Sequence, residues 1–286
     1  MLNAHHSEMK RLCFFLLLFY SCSCLYAQEK ADSIIFRTFL DYAAREKIVE
    51  KETGERVISI ARFFLNTPYI ASTLEADGLE SLRVNLKALD CTTFVETVLA
   101  LHNVLKVSDP DYGTYKQILT LIRYRNGVIR EYPSRLHYMT DWLSENQSKG
   151  LICLVDMGCA SVPFKPEVNF MSAHPDFYAA LKNNPEFVGE MADHEKRING
   201  LSLKYLPKDQ LTPEASFIHT GDIIAITSAV KGLDFSHLGF ALRENGVVYL
   251  IHASSSGKKV LVSDQCLKEY LSEIRNNTGI VVARPL

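Results

Sequence analysis

The sequence predicts an α+β fold in which the helices come first and an antiparallel sheet comes last. Apolar residues recur with a helical period over much of residues 33–145, and from residue 221 onward they alternate along short segments as in strands. Asn245-Gly246 stands between two of these segments and is a strong signal for a two-residue antiparallel hairpin. A run of helices followed by a run of strands is typical of the α+β class.

The helices predicted from this period lie in the first half of the chain. The second of them ends at Asn66-Thr67-Pro68, since proline disfavours helical angles in the residue before it. Residues 70–89 look irregular, and residues 82–86 alternate like a short strand. The predicted helices span residues 33–49, 56–65, 91–106, 115–124 and 135–145.

The second half of the chain changes character after Gly150. Residues 151–155 are predicted as a short strand, and a proline-rich stretch with two weak helices follows. A helix is predicted at 265–274, before the last strand. The strands of the sheet are predicted at 222–227, 236–242, 247–252, 259–263 and 279–284.

Residues 1–27 have the composition of a secretory signal. Lys10-Arg11 precedes an apolar run from Leu12 to Tyr20, and the small residue Ala27 closes the segment. The run is too short to span a membrane, so we predict cleavage after Ala27 and export. A lipid anchor on Cys22 or Cys24 is the less favoured alternative. Residues 28–286 are predicted to form a single catalytic domain.

Composition excludes several classes of function. A net charge of −2 lacks the basic excess of a nucleic-acid-binding protein, and we expect no nucleic-acid partner. No zinc-finger spacing, helical zinc motif or phosphate-binding glycine loop occurs, so we expect no metal and no cofactor. The cysteines beyond the signal are too few for a disulfide scaffold, and spacing leaves open whether Cys153 and Cys159 pair. They are Cys91, Cys153, Cys159 and Cys266.

Cys91 is the candidate nucleophile. Asp90 precedes the apolar stripe of a helix and suits the N-cap position, which places Cys91 in the first helical turn. Unpaired backbone amides and the helix dipole favour a thiolate there, so the sequence predicts a lowered thiol pKa. Cys91 also lies on the apolar stripe, and the alternative is a buried structural cysteine.

Two strand histidines can supply the base that a thiol nucleophile needs and the group that orients this base. His237 alternates with apolar neighbours and shares its face with Gly239 and Ala241, which are small enough for a helix to approach closely. His252 ends the neighbouring strand of the Asn245-Gly246 hairpin. We therefore expect the two imidazoles to lie side by side.

Five segments, in this order, resemble the NlpC-type papain-like cysteine hydrolases of the bacterial cell wall. The resemblance covers about residues 56–106 and 215–286. The segments are Asn66-Thr67-Pro68-Tyr69, Asp90-Cys91-Thr92-Thr93-Phe94, Thr220-Gly221-Asp222-Ile223-Ile224, Ser236-His237-Leu238-Gly239-Phe240 and Leu250-Ile251-His252-Ala253-Ser254.

The resemblance implies a fold and a set of roles. The fold is a papain-like core at about 28–108 and 216–286, in which the nucleophile helix packs on the antiparallel sheet, with a mainly helical insertion at about 109–215. Cys91 would be the nucleophile, His237 the general base and His252 its orienting partner. The Tyr69 hydroxyl would help the Cys91 amide to stabilise the oxyanion. No metal or cofactor is implied.

Two departures from the family pattern point to one branch of it. Ala71-Ser72 replaces a glycine pair, and Thr92-Thr93 replaces Ser-Gly after the cysteine. Family endopeptidases use the Asp-Cys-Ser segment to hold the free amine of a stem peptide, so Asp90 and Thr92 are expected to contact the substrate. The threonine in place of serine argues against a substrate with that free amine. With its long insertion, the chain is most similar to the N-acetylmuramoyl-L-alanine amidase-like group, which cuts between the lactyl group of the sugar and the first alanine.

The insertion offers further substrate-binding candidates. Arg135, Tyr138 and Trp142 recur at helical spacing. Side by side on one helix face, they could form a wall of the cleft that stacks a sugar and binds a carboxylate. The favoured alternative is that Tyr138 and Trp142 anchor the core of the insertion. So long an insertion is also expected to close one end of the cleft.

The sequence thus predicts an exported, periplasmic cysteine amidase, monomeric and without a stable protein partner, acting on peptidoglycan fragments. The sugar would be N-acetylmuramic acid, with the anhydro form an option. Three alternatives stay open. They are a γ-D-glutamyl-diamino acid endopeptidase, an acyltransferase using the same thiolate, and a non-catalytic muropeptide-binding module, which the intact Cys91, His237 and His252 set disfavours.

Overall fold

The computed structural model describes residues 28–75 and 78–286, so the predicted signal segment lies outside the described residues. Five helices form the first half of this part of the chain. Within the described ranges, no helix is both long enough and apolar enough to cross a membrane. The helices are α1 (28–45), α2 (Thr53–Phe63), α3 (Cys91–Val104), α4 (Tyr112–Arg123) and α5 (Met139–Ser148).

An eight-stranded antiparallel sheet occupies the second half. Its order is β2-β3-β8-β4-β5-β6-β7, and β1 pairs with β8 beside β3. The strands are β1 (Ile152–Leu154), β2 (Val162–Phe164), β3 (Leu203–Pro207), β4 (Ile223–Ser228), β5 (Phe235–Glu244), β6 (Val247–Ser254), β7 (Lys259–Cys266) and β8 (Asn277–Pro285).

The predicted mixture of helices and antiparallel sheet is confirmed, and so is the hairpin. Glu244 pairs with Val247 across the two-residue turn, where Asn245 and Gly246 have φ of 51° and 84°. Positive φ at both positions is the geometry that Asn-Gly favours. The expected strand at 82–86 is wrong, because these residues are not part of a strand or helix. The sequence analysis also missed β2 and β3, two short strands at the edge of the sheet.

The start of α5 differs from the prediction, and this changes the neighbours of three candidate residues. A short 3-10 turn at Tyr132–Ser134, which contains Pro133, precedes Arg135, whose backbone is extended. Tyr138 is the N-cap of α5, so the helix begins only at Met139. Arg135, Tyr138 and Trp142 therefore do not share a helix face.

The sheet has two buried faces, each covered by a different helix. On one face α3 packs against β5, with the ring centroids of Phe94 and Phe240 5.7 Å apart. On the other face lies α9 (Leu267–Glu273), whose Leu267 and Leu271 join a second cluster with Ala241. The sequence analysis expected a helix on the face of His237, Gly239 and Ala241; that helix is α9, and α3 covers the opposite face.

Residues 109–215 contribute to the main core and also form a core of their own. Helices α4 and α5 supply Leu119 and Trp142 to the cluster that contains α3. Three more helices follow, α6 (Phe170–Ala173), α7 (Ala179–Asn183) and α8 (Pro185–Asn199), and they enclose a separate cluster around Met171 and Met191.

A buried carboxylate joins this region to the end of the sheet where β5 begins. Asp234, the residue before β5, accepts hydrogen bonds from the amides of Thr140 and Phe235 at 2.7 and 2.9 Å. Thr140 lies in the first turn of α5, where backbone amides have no helical partner. Asp234 thus fixes the amino-terminal end of α5. It lies three residues before His237 in the chain.

Candidate active site

The amino-terminal end of α3 is held by a reciprocal cap. Asp90 Oδ1 accepts from both the amide and the hydroxyl of Thr93 at 2.8 Å, and the Asp90 amide donates to Thr93 Oγ1 at 2.9 Å. The predicted N-cap at Asp90 is confirmed, and Cys91 is the first residue of the helix. The Thr92 hydroxyl lies within hydrogen-bonding reach of the Cys91 thiol.

The thiol lies where two neighbouring strands separate. The pairing of β5 with β6 ends at Phe240 and Ile251. Beyond this point β6 pairs with β7 only. The backbone of β5 is then free to bond elsewhere, and the Leu238 amide is within hydrogen-bonding reach of Cys91. Helix α3, although it covers the opposite face, thus brings its first residue close to the backbone of Leu238, the residue after His237.

The two predicted histidines are in contact. His237 Nε2 lies 2.6 Å from His252 Nδ1, with the rings nearly perpendicular at 87°. If His237 donates this hydrogen bond, its Nδ1 carries a lone pair and can accept a proton. Gly239 makes room for the pair, since a Cβ there would lie 2.9 Å from the Cβ of His252 and 2.8 Å from the carbonyl oxygen of Ile251.

Tyr69 lies close to Cys91 and Asp90, on a segment that pairs with residues on both sides of the site. Its amide donates to the Lys258 carbonyl at 2.9 Å, and it bridges to Leu89, next to Asp90. Burial, together with the charges of Cys91 and Asp90, raises the pKa of the Tyr69 hydroxyl. A hydroxyl that stays protonated is a hydrogen-bond donor, as stabilisation of an oxyanion requires.

The sequence analysis missed Tyr270 on α9. Its ring centroid lies 5.3 Å from that of His252 and 6.1 Å from that of His237. Burial and the nearby Cys91 raise its pKa to about 12. No motif marks Tyr270, but its helical spacing with Leu267 and Leu271 could have indicated that it faces the sheet.

Burial sets the charge state of the site. It raises the pKa of the Cys91 thiol to about 11, with the Asp90 charge adding to the effect, and lowers the pKa values of His237 and His252 to about 3 and 4. The predicted lowering of the thiol pKa is therefore wrong, because burial and the Asp90 charge raise this pKa by more than the hydrogen bonds from Thr92 and Leu238 lower it. Burial therefore favours the neutral forms of the Cys91 thiol and of both imidazoles.

This charge state predicts that kcat/KM changes little as the pH falls below 7. A general base must be unprotonated, and a lowered pKa moves the loss of that form to lower pH. For an imidazole with an ordinary pKa of 6.5, the neutral fraction would fall about 25-fold between pH 7 and pH 5. We expect kcat/KM of the wild type to change less than about twofold over this range, with circular dichroism confirming the fold. A fall near pH 6.5 would contradict a buried, neutral His237.

Replacing Tyr270 should expose the imidazoles and restore this acid fall. In Tyr270→Leu the ring is lost and water can reach the pair, so the pKa of His237 should rise towards 6.5. We expect kcat/KM to drop at least about fivefold from pH 7 to pH 5. Tyr270→Phe keeps the ring and should keep the flat profile. Equal profiles for the Leu and Phe variants would show that the ring does not shield the pair.

Arg135, Tyr138 and Trp142 are all buried, so the favoured alternative, in which Tyr138 and Trp142 anchor the core, is confirmed. Arg135 is buried, donates to Glu75 Oε1 at 2.6 Å and to the Leu74 carbonyl at 2.8 Å, and so holds the loop that follows Tyr69. The buried Tyr138 donates to Glu195 Oε1 at 2.7 Å, and Trp142 is 1% exposed within the main core. These side chains anchor the interior and do not form an open wall.

The described residues contain no cluster of three or more His, Cys, Asp or Glu side chains that could hold a metal. In the same part of the chain Cys153 and Cys159 are both free thiols.

Comparison with known proteins places this arrangement in a family. Residues 59–280 match the AmiA-like family, described as N-acetylmuramoyl-L-alanine amidase-like. A solved N-acetylmuramoyl-L-alanine amidase from Bacteroides uniformis is 39% identical, with 82% of this chain and 100% of that chain covered and a TM-score of 0.78. No curated protein matches the chain.

Two other solved structures are similar. One, named as a putative xylanase from Bacteroides fragilis, is 42% identical over 79% of this chain and 99% of that chain, with a TM-score of 0.75. A Legionella pneumophila protein of the DUF1460 family is 24% identical over 91% and 96% of the two chains, with a TM-score of 0.68, and shows the fold alone. The family match spans most of the described residues, including both candidate histidines, and the chain belongs to the AmiA-like, N-acetylmuramoyl-L-alanine amidase-like family.

Proposed function

We propose that this family member is an exported cysteine amidase of the NlpC-type papain-like class, which hydrolyses the amide between N-acetylmuramic acid and L-alanine in peptidoglycan fragments. The observation that carries the proposal is the hydrogen bond between His237 and His252, on the strand whose Leu238 backbone lies close to Cys91. Export is supported by the sequence of residues 1–27.

The geometry supports a two-step acyl transfer. The Cys91 sulfur attacks the lactyl carbonyl carbon while His237 takes the thiol proton, and His252 holds the imidazole through their hydrogen bond. The Cys91 amide and the Tyr69 hydroxyl stabilise the oxyanion. His237 then protonates the leaving amine of L-alanine, and water attacks the thioester with His237 again acting as base. The products are a sugar with a free lactyl carboxylate and an intact stem peptide.

The Asp90 cap disfavours the endopeptidase alternative. An endopeptidase of this type needs a carboxylate for the free amine of its stem peptide. Asp90 Oδ1 already accepts two hydrogen bonds from Thr93, so this oxygen is engaged within the helix cap. An amide substrate with no free amine next to the scissile bond suits this site better.

The chain segment between Tyr69 and Asp90 supports a preference for small soluble fragments. Arg135 and the Tyr132 hydroxyl both bind the Glu75 carboxylate and so attach the loop after Tyr69 to the region 109–215. This region therefore stands beside the cleft. A cleft closed on that side accepts a soluble muropeptide and excludes a cross-linked polymer.

Mass spectrometry of products tests the proposal. Purified muropeptides and intact sacculi are incubated with the wild type and with Cys91→Ala. We expect free sugar plus intact stem peptide from muropeptides with the wild type alone, and little release from sacculi. A split stem peptide would identify an endopeptidase, and binding without products would identify the non-catalytic module. Robust release from sacculi would refute the closed cleft.

A further inference from the structure

Three aromatic rings lie together at the surface of the region 109–215. They belong to Phe170 on α6, to His174 directly after it, and to Phe177 at the end of a short 3-10 turn. The ring centroids of Phe170 and His174 are 4.5 Å apart and those of His174 and Phe177 5.6 Å apart, with interplanar angles of 30° and 13°. Phe177 is 71% exposed and His174 is also exposed, whereas Phe170 is half-buried. We call these rings the aromatic platform, since exposed apolar side chains that cluster are typical of binding sites.

Buried side chains hold the backbone that carries the platform. Helix α6 has only four residues, too few to be stable in water by itself. The Met171 amide donates to the Tyr138 hydroxyl at 2.8 Å, and the Ser172 amide donates to Glu195 Oε1 at 3.0 Å. Tyr138 donates to the same Glu195 oxygen at 2.7 Å, and the Ser172 hydroxyl donates to the other one. A carboxylate that is 2% exposed is costly unless it is hydrogen-bonded, and the bonds of Glu195 go to α6 and to the tyrosine that holds it. The platform is therefore preorganised.

The platform is attached to the turn between β4 and β5. The amides of Asn169 and Phe170 both donate to the Gly232 carbonyl, at 3.2 and 3.1 Å. Gly232 has a φ of 83°, and a Cβ there would lie 3.1 Å from the Phe170 nitrogen, so a glycine allows this close approach. The turn leads directly into β5, and five residues of chain keep the backbones of Gly232 and His237 within about 18 Å of each other. The platform thus lies at the end of the sheet where β5 begins.

The area and the chemistry of the platform suit a sugar ring and not a protein. A stable protein interface buries about 800 Å² on each partner. One aromatic side chain contributes about 150 to 250 Å² when it is fully buried, and the three rings already cover part of one another. The remaining surface matches the apolar CH face of a pyranose. In the neutral imidazole of His174, Nδ1 donates to the Phe170 carbonyl at 2.9 Å, so Nε2 has a lone pair that can accept from a sugar hydroxyl.

We propose that the aromatic platform binds a pyranose ring of the peptidoglycan glycan, with the sugar stacked on Phe177 and one of its hydroxyls donating to His174 Nε2. The inference rests on the proposed function, because the peptidoglycan-type substrate supplies the saccharide. It adds a sugar-binding site outside Cys91 and the two histidines. Tyr138, which the sequence analysis considered for sugar binding, acts on this site from the interior, through the backbone that carries the rings.

Binding of a sugar without a peptide tests the platform without relying on turnover. The disaccharide of N-acetylglucosamine and N-acetylmuramic acid is titrated into the wild type and three variants, and binding is followed by the NMR signals of the histidine imidazoles. We expect Phe177→Ala to weaken binding about fivefold or more, because it removes the stacking surface. Phe177→Tyr keeps the ring and should stay within about twofold of the wild type. Ile34→Ala, which removes a 50% exposed apolar side chain from α1, should leave the affinity unchanged.

The same titration locates the bound sugar and separates the platform from the proposed function. The imidazole signals of His174 should shift with added disaccharide, whereas those of the fully buried His102 on α3 should not. Equal affinities of the wild type and Phe177→Ala, or binding that leaves His174 unshifted, would overturn the platform. Binding that depends on Phe177 in a wild type that cleaves no muropeptide would overturn the amidase and keep the platform. Cleavage of muropeptides by a wild type that does not bind the disaccharide would keep the amidase and overturn the platform.

Discussion

Replacing Cys91 with alanine is expected to lower turnover about a thousandfold or more and to leave the free energy of unfolding within about 1 kcal/mol of the wild type. In the proposed mechanism the thiol forms the covalent bond to the acyl group, and without it only binding and oxyanion stabilisation remain. Steady-state kinetics on a purified muropeptide and urea denaturation measure the two quantities. Cys153→Ala is the matched control, since it removes a half-buried free thiol from β1, outside the site.

The histidines should behave as one unit with the thiol. His237→Ala should be nearly as damaging as Cys91→Ala, and the double variant little worse than either, because each residue acts only through the other. His252→Ala should be milder, since it removes the hydrogen bond that orients His237 and leaves the base in place. Multiplicative losses in the double variant, or full activity of His237→Ala, would contradict a coupled thiol and imidazole.

Replacing Trp142 with alanine is expected to cost about 3 to 5 kcal/mol of stability and to leave KM unchanged. The side chain is 1% exposed in the core shared by α3 and α4, and truncation leaves a cavity that the surrounding helices cannot fill. Denaturant unfolding beside steady-state kinetics measures both effects. Phe177→Ala is the matched control, because that ring is 71% exposed and its loss should cost under about 0.5 kcal/mol.

The opposite result would assign Trp142 a role in substrate binding. A raised KM with unchanged stability is what the sugar-stacking wall of the sequence analysis requires. The location of the indole in the main core argues for the stability loss.

Local signals identified the parts of the site that depend on neighbouring residues. Asp90 could be recognised as a cap because Thr93 follows three residues later and completes the reciprocal hydrogen bonds. The hairpin could be recognised because Asn245 and Gly246 both tolerate positive φ. Strand alternation then placed His237 and Gly239 on one face.

Properties that arise from packing between distant segments could not be read in this way. Alternation assigns residues to faces of β5 but does not reveal that α9 covers the face of His237, nor that Tyr270 lies against the imidazoles. The pKa of Cys91 depends on burial by the whole fold, whereas the helix dipole is a local effect. Arg135 is spaced as if on a helix, yet its partner is Glu75, sixty residues earlier.

The position of β8 has a consequence for how the chain is made. This strand is the last of the eight in sequence, yet it lies inside the sheet, with β4 along one edge and β1 and β3 along the other. A ribosome delivers it after the other seven strands, so β1 and β3 remain separated from β4 until residues 277–285 emerge. Such late, non-local pairing slows folding. The nascent protein therefore stays open until translation has passed β8, and a chain that stops before residue 277 would lack the strand that unites the sheet.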